Sequence, residues 1–237
     1  MKLLSVNLGH ARHAPDITDA DSGVTGIDKR PAQGAVAVSS PAPGVGGLAG
    51  DTIGDLRHHG GEHQAVYAFA REDLDVWAAE LGRELPGGVF GENLTTEGVD
   101  VNGALIGERW RVGADLVLEV ASVRIPCRTF AGWLEEQGWV RRFTEAAAPG
   151  AYLRVVSPGE VRAGDSVEVV HRPEHEVTVS FLFRALTRER GLLPRVLVAG
   201  EALDPGVREK AVAYVEKYGD GGFVLGAGPL RDNSEKP

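Results

Sequence analysis

The residues best suited to chemistry surround Cys127, the only cysteine among the 237 residues of the chain. Arg124 lies three residues before Cys127, and Arg128 directly follows it. Guanidinium groups beside a thiol lower its pKa and so favour the thiolate, the form that attacks electrophiles and binds soft metals. A lone cysteine can equally be a buried structural residue that acts as a small hydrophobic side chain. Both interpretations of Cys127 stay open on this stretch alone.

Two further stretches carry candidate binding residues. Lys29 and Arg30 are adjacent cations beside a turn, where they could contact an anion or simply be hydrated. Gly60 and Gly61 follow His59 and permit positive φ and close backbone approach. Successive backbone N–H groups at such glycines can form an anion-binding nest.

Glu92 and Asn93 lie in a glycine-bounded turn before a short predicted strand. An asparagine often hydrogen-bonds the backbone of its own turn. From these residues alone, that local bond is the simpler explanation of Asn93.

The composition indicates an ordinary globular protein and excludes several functional classes. The formal net charge is −9, which argues against a nucleic-acid-binding protein with a broad basic surface. One cysteine rules out an internal disulfide and suits a reducing cytoplasm. We find no secretory signal and no run long enough to span a membrane, so the sequence predicts a cytoplasmic protein.

The pattern of apolar residues predicts the elements that position these side chains. The alternating run 116–120 predicts a strand leading to Cys127, where Pro126 turns the chain. Further strands are predicted at residues 3–8, 35–38, 65–70, 95–96, 151–156 and 166–170. Helices are predicted at residues 74–81, 130–137, 139–148, 181–190, 193–197 and 205–215. Many glycines also favour a sheet-rich body, so the predicted class is mainly β with helices, that is, α+β.

Several short motifs occur along the chain in an order that is typical of one family. They are Thr25-Gly-Ile-x-Lys29, His59-Gly-Gly61 with Ala65-Val-Tyr67, Gly91-Glu-Asn-Leu94, Arg124-x-Pro126-Cys127 and Gly159-Glu-Val-x-x-Gly-Asp165. With them the chain resembles the MOSC family, which takes its name from the C-terminal domain of molybdenum cofactor sulfurases. It is most similar to the bacterial YiiM-like subgroup, which carries a C-terminal three-helix unit.

This resemblance implies a domain organisation. Residues 1–175 are expected to form a β-barrel-like cofactor-binding MOSC domain, and residues 176–225 a small three-helix domain. Residues 226–237 are expected to be a disordered tail.

The resemblance also implies a cofactor and a set of residues that hold it. The cofactor is the molybdenum cofactor, in which a pterin with a phosphate tail carries the metal; pyridoxal phosphate is not expected. Cys127 supplies a thiolate to molybdenum and is the catalytic residue. The implied cofactor-binding residues are Lys29, Arg30, His59, Gly60, Gly61, Glu92, Asn93 and Arg124.

The implied activity is reduction of N-hydroxylated bases, such as 6-N-hydroxylaminopurine, to amines in detoxification. One cysteine cannot hold an iron–sulfur cluster, so electrons are expected from a separate reductase. The expected partners are therefore the small-molecule substrate and that reductase, with no nucleic acid and no membrane. A homodimer is one of the oligomeric states that the sequence leaves open.

Two alternatives come from other functional classes. In the first, Cys127 carries a persulfide and passes its sulfur on, which makes the protein a sulfur carrier or transferase. In the second, the protein stores or delivers the cofactor without turnover.

Overall fold

The structure is a computed structural model that describes residues 1–42, 45–55 and 59–220. The predicted tail at residues 226–237 lies outside the described residues, as do the last residues of the predicted three-helix domain.

The described residues form strands and helices with the following bounds. The strands are β1 Lys2–Gly9, β2 Arg12–His13, β3 Val24–Thr25, β4 Lys29–Pro31, β5 Val36–Val38, β6 Val66–Ala70, β7 Leu94–Glu97, β8 Arg109–Val112, β9 Leu116–Val123, β10 Ala151–Ser157, β11 Gly159–Val161 and β12 Val167–His171. The α-helices are α1 Arg71–Leu81, α2 Arg128–Leu134, α3 Trp139–Ala146, α4 Val179–Thr187, α5 Leu193–Val196 and α6 Pro205–Tyr218. Short 3₁₀ helices cover Glu62–Gln64, Arg190–Leu192 and Leu197–Ala202.

The predicted α+β class is confirmed. Within the described residues, eight strands form one sheet in the order β12-β8-β9-β10-β6-β7-β1-β4, and β5–β11 and β2–β3 form two separate pairs. Strands β6 and β7 pair in parallel, whereas the other neighbours in the sheet are antiparallel. The Leu3 N–H donates to the Asp165 carbonyl at 2.8 Å, and the Val167 N–H donates to the Met1 carbonyl at 3.0 Å. These bonds bring the start of β12 beside β1, so the sheet curls back on itself.

The strands that lead to Cys127 follow the burial pattern of their sequence. Strand β8 alternates between exposed arginines and the buried Trp110 and Val112, as a strand with one face in the core should. Strand β9 is central in the sheet and is buried along almost its whole length, so its side chains are covered on both faces. Between β8 and β9, Gly113 adopts a φ of 66°, which suits a glycine in the predicted turn.

Helix α2 begins directly after Cys127, which is its N-cap with extended backbone (φ −121°, ψ 172°). The predicted end of this helix is wrong, because α2 stops at Leu134 rather than at the residue before Gly138. Glu135 takes the left-handed conformation (φ 57°) and its N–H donates to the Ala131 carbonyl at 3.1 Å, which closes the helix early. Gly138 is instead the N-cap of α3.

A cluster of aromatic rings fixes α2 and α3 against the sheet. Phe130 of α2 lies 5.2 Å from Phe90 and 5.3 Å from Trp139 between ring centroids, in edge-to-face contact with both. Trp77 of α1 contacts Trp139 at 4.6 Å. Such rings contribute strongly to core stability, so they hold the helix that starts at Cys127 in one position.

Helix α6 begins at the predicted Pro205, whereas α4 begins at Val179, two residues before its predicted start, and ends at Thr187, before its predicted end. The Asp204 carboxylate accepts from the Val207 N–H at 3.1 Å, and Pro205 is the first residue of α6. Helix α4 starts with a bond from the Phe181 N–H to the Thr178 hydroxyl at 3.0 Å. The boundary at residues 175 and 176 stays a prediction. In the described part of the chain, no helix is both long and apolar enough to cross a membrane.

Two stretches in which the sequence predicts no strand contain short strands. Gly159–Val161 forms β11 and pairs with β5. Arg12–His13 forms β2 and pairs with β3. A strand of two or three residues has too little periodicity to be seen in its own sequence.

Candidate functional site

A cavity of about 310 Å³ opens beside Cys127. Its walls come from the end of β9, from β6 and β10, and from the segments that precede β4 and follow Gly50. Six predicted site residues line it together, namely Lys29, His59, Gly60, Asn93, Arg124 and Cys127. Stretches that are far apart in sequence therefore converge on one cavity.

The surroundings of the Cys127 thiol favour its ionisation near neutral pH. Burial raises its pKa, but a hydrogen bond with His59 and the charge of Arg124 outweigh burial and lower the pKa to about 7. The residue is half-buried and lines the cavity. A substantial thiolate fraction thus faces the cavity at physiological pH, as an active rather than an inert cysteine requires.

Arg124 is a buried cation with unused hydrogen-bonding capacity. It is 5% exposed, and its guanidinium lies 4.2 Å from the Phe130 ring centroid and 5.1 Å from that of Tyr67. Its Nη1 donates to the Phe90 carbonyl at 2.9 Å, while its Nε has no partner among the described residues. Because a buried donor without a partner is costly, this arrangement favours a bound group with acceptor atoms and negative charge.

Lys29 is neutralised inside the protein. Its Nζ contacts both oxygens of Asp51 at 2.6 and 2.7 Å, and both side chains are at least nine-tenths buried. Burial lowers the pKa of Lys29, and the Asp51 carboxylate opposes that shift. The Gly9 N–H and the Asn93 amide also donate to Asp51, at 2.6 and 2.9 Å. Lys29 and Asn93 therefore share one buried carboxylate at the wall of the cavity.

Three predicted site residues are not among those that line the cavity. Arg30 is mostly exposed and forms an ion pair with Asp28 at 2.7 Å. Glu92 is fully buried and accepts from the Gly88 N–H, the Phe90 N–H and the Thr95 hydroxyl, so it shapes the loop before Asn93. Gly61 has a φ of 82°, and a Cβ there would meet nothing within 4 Å. The positive φ of residue 61 therefore favours a glycine there, whereas no neighbouring atom would exclude a side chain.

The sequence did not single out several residues that line the cavity. These are Thr18, Asp19, Asp51, Asp55, Gln64 and Tyr152. The Gln64 Oε1 atom is buried without a partner in the described residues, which makes it a second group available to a ligand. Tyr67, the last residue of the motif Ala65-Val-Tyr67, also lines the cavity. Its hydroxyl donates to the Pro149 carbonyl at 2.7 Å.

Replacing His59 with alanine should raise the pKa of the Cys127 thiol above about 7, because the ring N–H that stabilises the thiolate is lost. At pH 7, alkylation of Cys127 by iodoacetamide should slow by about fivefold if the pKa rises by one unit, and by about tenfold for each unit beyond that. At pH 10 the rates should converge. The exposed His10→Ala is the control and should leave the pH profile unchanged. Equal profiles for His59→Ala and the wild-type protein would contradict this role of His59.

Comparisons with known proteins agree with one another. The model of the MOSC domain matches residues 55–168. The uncharacterized protein YflK of Bacillus subtilis (strain 168) is 32% identical over 182 residues, which cover 77% of this chain and 79% of YflK. A protein of Gibberella moniliformis named "Reductase" is 29% identical over 118 residues, 48% of this chain but only 21% of that protein. The crystal structure of YiiM from Geobacillus stearothermophilus superposes with a TM-score of 0.71 at 22% identity, covering 90% of this chain and 97% of YiiM.

Proposed function

The chain belongs to the MOSC domain family, a molybdenum cofactor-binding family, and from this premise we propose that it is a molybdenum-dependent reductase of N-hydroxylated compounds. The observation that carries the proposal is the pairing of a half-buried thiol whose pKa is lowered to about 7 with a buried guanidinium that has a free donor. A thiolate suits a soft metal, and a guanidinium suits the anionic part of a cofactor.

The described residues fit the molybdenum cofactor. Cys127 would bind the metal through its thiolate. Arg124 would donate to an anionic or acceptor group of the pterin through its free Nε, and Gln64 offers a buried acceptor to a pterin N–H. Lys29 and Asn93 would support this wall through Asp51. Arg30 has no part in the proposal, because its side chain is turned outward to Asp28.

When bound, the cofactor would supply two-electron chemistry that removes an oxygen atom from the substrate. The overall reaction balances as an N-hydroxyl group plus two electrons and two protons giving an amine and water. His59 would hold a proton at the ring nitrogen that faces Sγ of Cys127 and so keep the thiolate available. The buried charge of Arg124 would offset negative charge in the cavity. Electrons would come from a separate reductase, since one cysteine cannot hold an iron–sulfur cluster.

The proposal is tested by expressing the full chain in a host that makes the cofactor. Molybdenum is measured by mass spectrometry and pterin by fluorescence, beside a control molybdoenzyme from the same host. Reduction of 6-N-hydroxylaminopurine is then followed with reduced methyl viologen as electron donor. We expect molybdenum and pterin near one per chain, and amine formation. If the control molybdoenzyme is loaded but this protein contains neither molybdenum nor pterin, the cofactor proposal is overturned. If this protein binds the cofactor but reduces no substrate, the result favours a cofactor carrier.

Sulfur transfer through Cys127 is a second candidate, since the same lowered thiol pKa suits a persulfide. Intact-mass analysis of freshly purified protein distinguishes it. A mass increase of one sulfur that is lost on reduction, in protein without molybdenum, would favour the carrier of sulfur over the reductase.

A further inference from the structure

Tyr152 adds a second tyrosine to the wall of the cavity beside Arg124. In the sheet it lies opposite Tyr67 of β6 on one side and opposite Ser122 of β9 on the other. Residues directly opposite each other on neighbouring strands point to the same face of a sheet. Tyr67, Tyr152 and Arg124 all line the cavity, and the centroids of the two tyrosine rings lie 5.1 Å apart. The pairing of the strands therefore directs the Tyr152 side chain to the cavity.

The hydroxyl groups of the two tyrosines differ in their hydrogen bonds. The Tyr67 hydroxyl donates to the Pro149 carbonyl at 2.7 Å, so it already has a partner inside the protein. The Tyr152 hydroxyl makes no hydrogen bond to the described residues, although Tyr152 is only 9% exposed. Its oxygen is nonetheless not sealed from solvent, and the surface that it can open to is the cavity. A ligand in the cavity can therefore reach a donor that the described residues leave unused.

The surroundings of Tyr152 keep its hydroxyl protonated. Burial raises the pKa of Tyr152, the charge of Arg124 opposes that shift, and the negative charge of the Cys127 thiolate adds to it. Near neutral pH Tyr152 is therefore an uncharged hydrogen-bond donor within electrostatic reach of both residues. A substrate oxygen that is removed at a metal bound by Cys127 has to come close to Cys127. Tyr152 is thus placed to meet that oxygen, which can accept a hydrogen bond as any hydroxyl oxygen can.

We propose that Tyr152 is a specificity-determining residue whose hydroxyl donates a hydrogen bond to the oxygen atom of an N-hydroxylated substrate. This role rests on the proposed function, because it is the reductase reaction that brings such an oxygen atom to the site. A site that hydrogen-bonds a substrate hydroxyl rejects the analogue without it, since the donor of the protein is then left unpaired. The amine product lacks the oxygen atom, so it should bind more weakly than the substrate and leave.

The test compares two ligands that differ by one oxygen atom, 6-N-hydroxylaminopurine and adenine. Their affinities are measured by isothermal titration calorimetry on the full-length protein from the cofactor-producing host. The cofactor is oxidised and no electron donor is present, so binding is measured without turnover. Wild-type protein should bind 6-N-hydroxylaminopurine more tightly than adenine. In Tyr152→Phe this preference should fall by about three- to tenfold, the usual contribution of one neutral hydrogen bond, while the affinity for adenine changes by less than about twofold.

Tyr67→Phe is the matched control, because it removes the same hydroxyl group from the neighbouring ring. It should lower the midpoint of urea unfolding, since the Pro149 carbonyl loses its donor, and leave the ratio of the two affinities unchanged. Tyr152→Phe should show the reverse. Its urea midpoint and its content of molybdenum and pterin should match those of the wild-type protein, and only the ratio of affinities should fall.

An equal ratio in Tyr152→Phe and wild-type protein would overturn the proposed role, and so would wild-type protein that does not prefer 6-N-hydroxylaminopurine. Loss of molybdenum and pterin from folded Tyr152→Phe would overturn it too, because the hydroxyl would then bind the cofactor. If the ratio falls as expected while loaded wild-type protein reduces no N-hydroxylated compound, the reductase proposal fails and recognition of the oxygen atom stands. If the wild-type protein takes up no cofactor, the cofactor proposal fails, and the two affinities of the cofactor-free chain decide the role of Tyr152.

Discussion

Cys127→Ala protein from a cofactor-producing host is expected to carry no more than about one hundredth of the molybdenum of the wild-type protein. Residues that merely orient a metal ligand already contribute about 10- to 100-fold to affinity, so loss of the ligand itself should exceed that range. Reduction of N-hydroxylated compounds should fall at least in proportion. Molybdenum per chain, measured by mass spectrometry, checks the first effect, and amine formation by chromatography checks the second.

Cys127→Ser is the matched variant, because it keeps the size of the side chain and replaces the soft donor with a hard one. It should lose molybdenum nearly as completely as Cys127→Ala. Both variants should fold, since the residue is only half-buried and neither alanine nor serine is larger than cysteine. Retention of molybdenum in both folded variants would show that the cofactor is held without the Cys127 thiolate, either through its pterin or through another residue.

The sequence predicted the elements around the site because the signals are local. Gly82 takes the left-handed conformation that ends α1, with its N–H bonded to the Ala78 carbonyl. Asp204 and Pro205 open α6 as a cap and a first residue. The buried strand β9 leads towards Cys127, and the chain turns after the strand ends. In each case the residue type itself carries the conformational preference, so a neighbouring stretch of a few residues is enough to predict it.

The sequence did not predict which of two adjacent cations would face the cavity. Lys29 and Arg30 belong to β4, and successive side chains of a strand point to opposite faces. One of the two therefore had to turn outward, and it is Arg30. The position of β4 within the sheet decides which, and that position depends on its pairing with β1, a separate strand of the sheet.

The buried partners of the site were also beyond reach of sequence reasoning. Asp51 follows a glycine in a stretch with no periodic pattern, yet it accepts bonds from residues 9, 29 and 93. Glu92 resembled a ligand contact but satisfies backbone donors of its own loop. In the sequence, a carboxylate that binds a ligand looks the same as one that accepts hydrogen bonds from its own glycine-rich turn. Only the folded chain shows which donors surround it.

The second large effect is expected at Arg124, where a substitution should weaken cofactor binding strongly but change the stability of the fold little. In Arg124→Met, cofactor affinity should fall by about 10- to 100-fold, the usual contribution of a hydrogen bond to a charged group at a buried site. The free energy of unfolding of the cofactor-free protein should change by no more than about 1 kcal/mol, because an apolar side chain of similar volume replaces a buried charge whose Nε makes no hydrogen bond to the described residues. Pterin content and urea unfolding measure the two quantities.

Arg124→Lys completes this test, because it keeps the charge and loses the planar array of donors. It should hold the pKa of the Cys127 thiol nearer to about 7 than Arg124→Met does, since the charge of residue 124 lowers that pKa. It should nevertheless lose cofactor, because a lysine cannot reproduce the geometry of a guanidinium Nε and Nη1. A loss of several kcal/mol of stability in cofactor-free Arg124→Met, with normal cofactor content, would instead make Arg124 a structural residue. In that case Arg124 would stabilise the fold through its contacts with the Phe90 carbonyl and the Phe130 ring. The absence of a hydrogen-bond partner for its Nε among the described residues would then need another explanation.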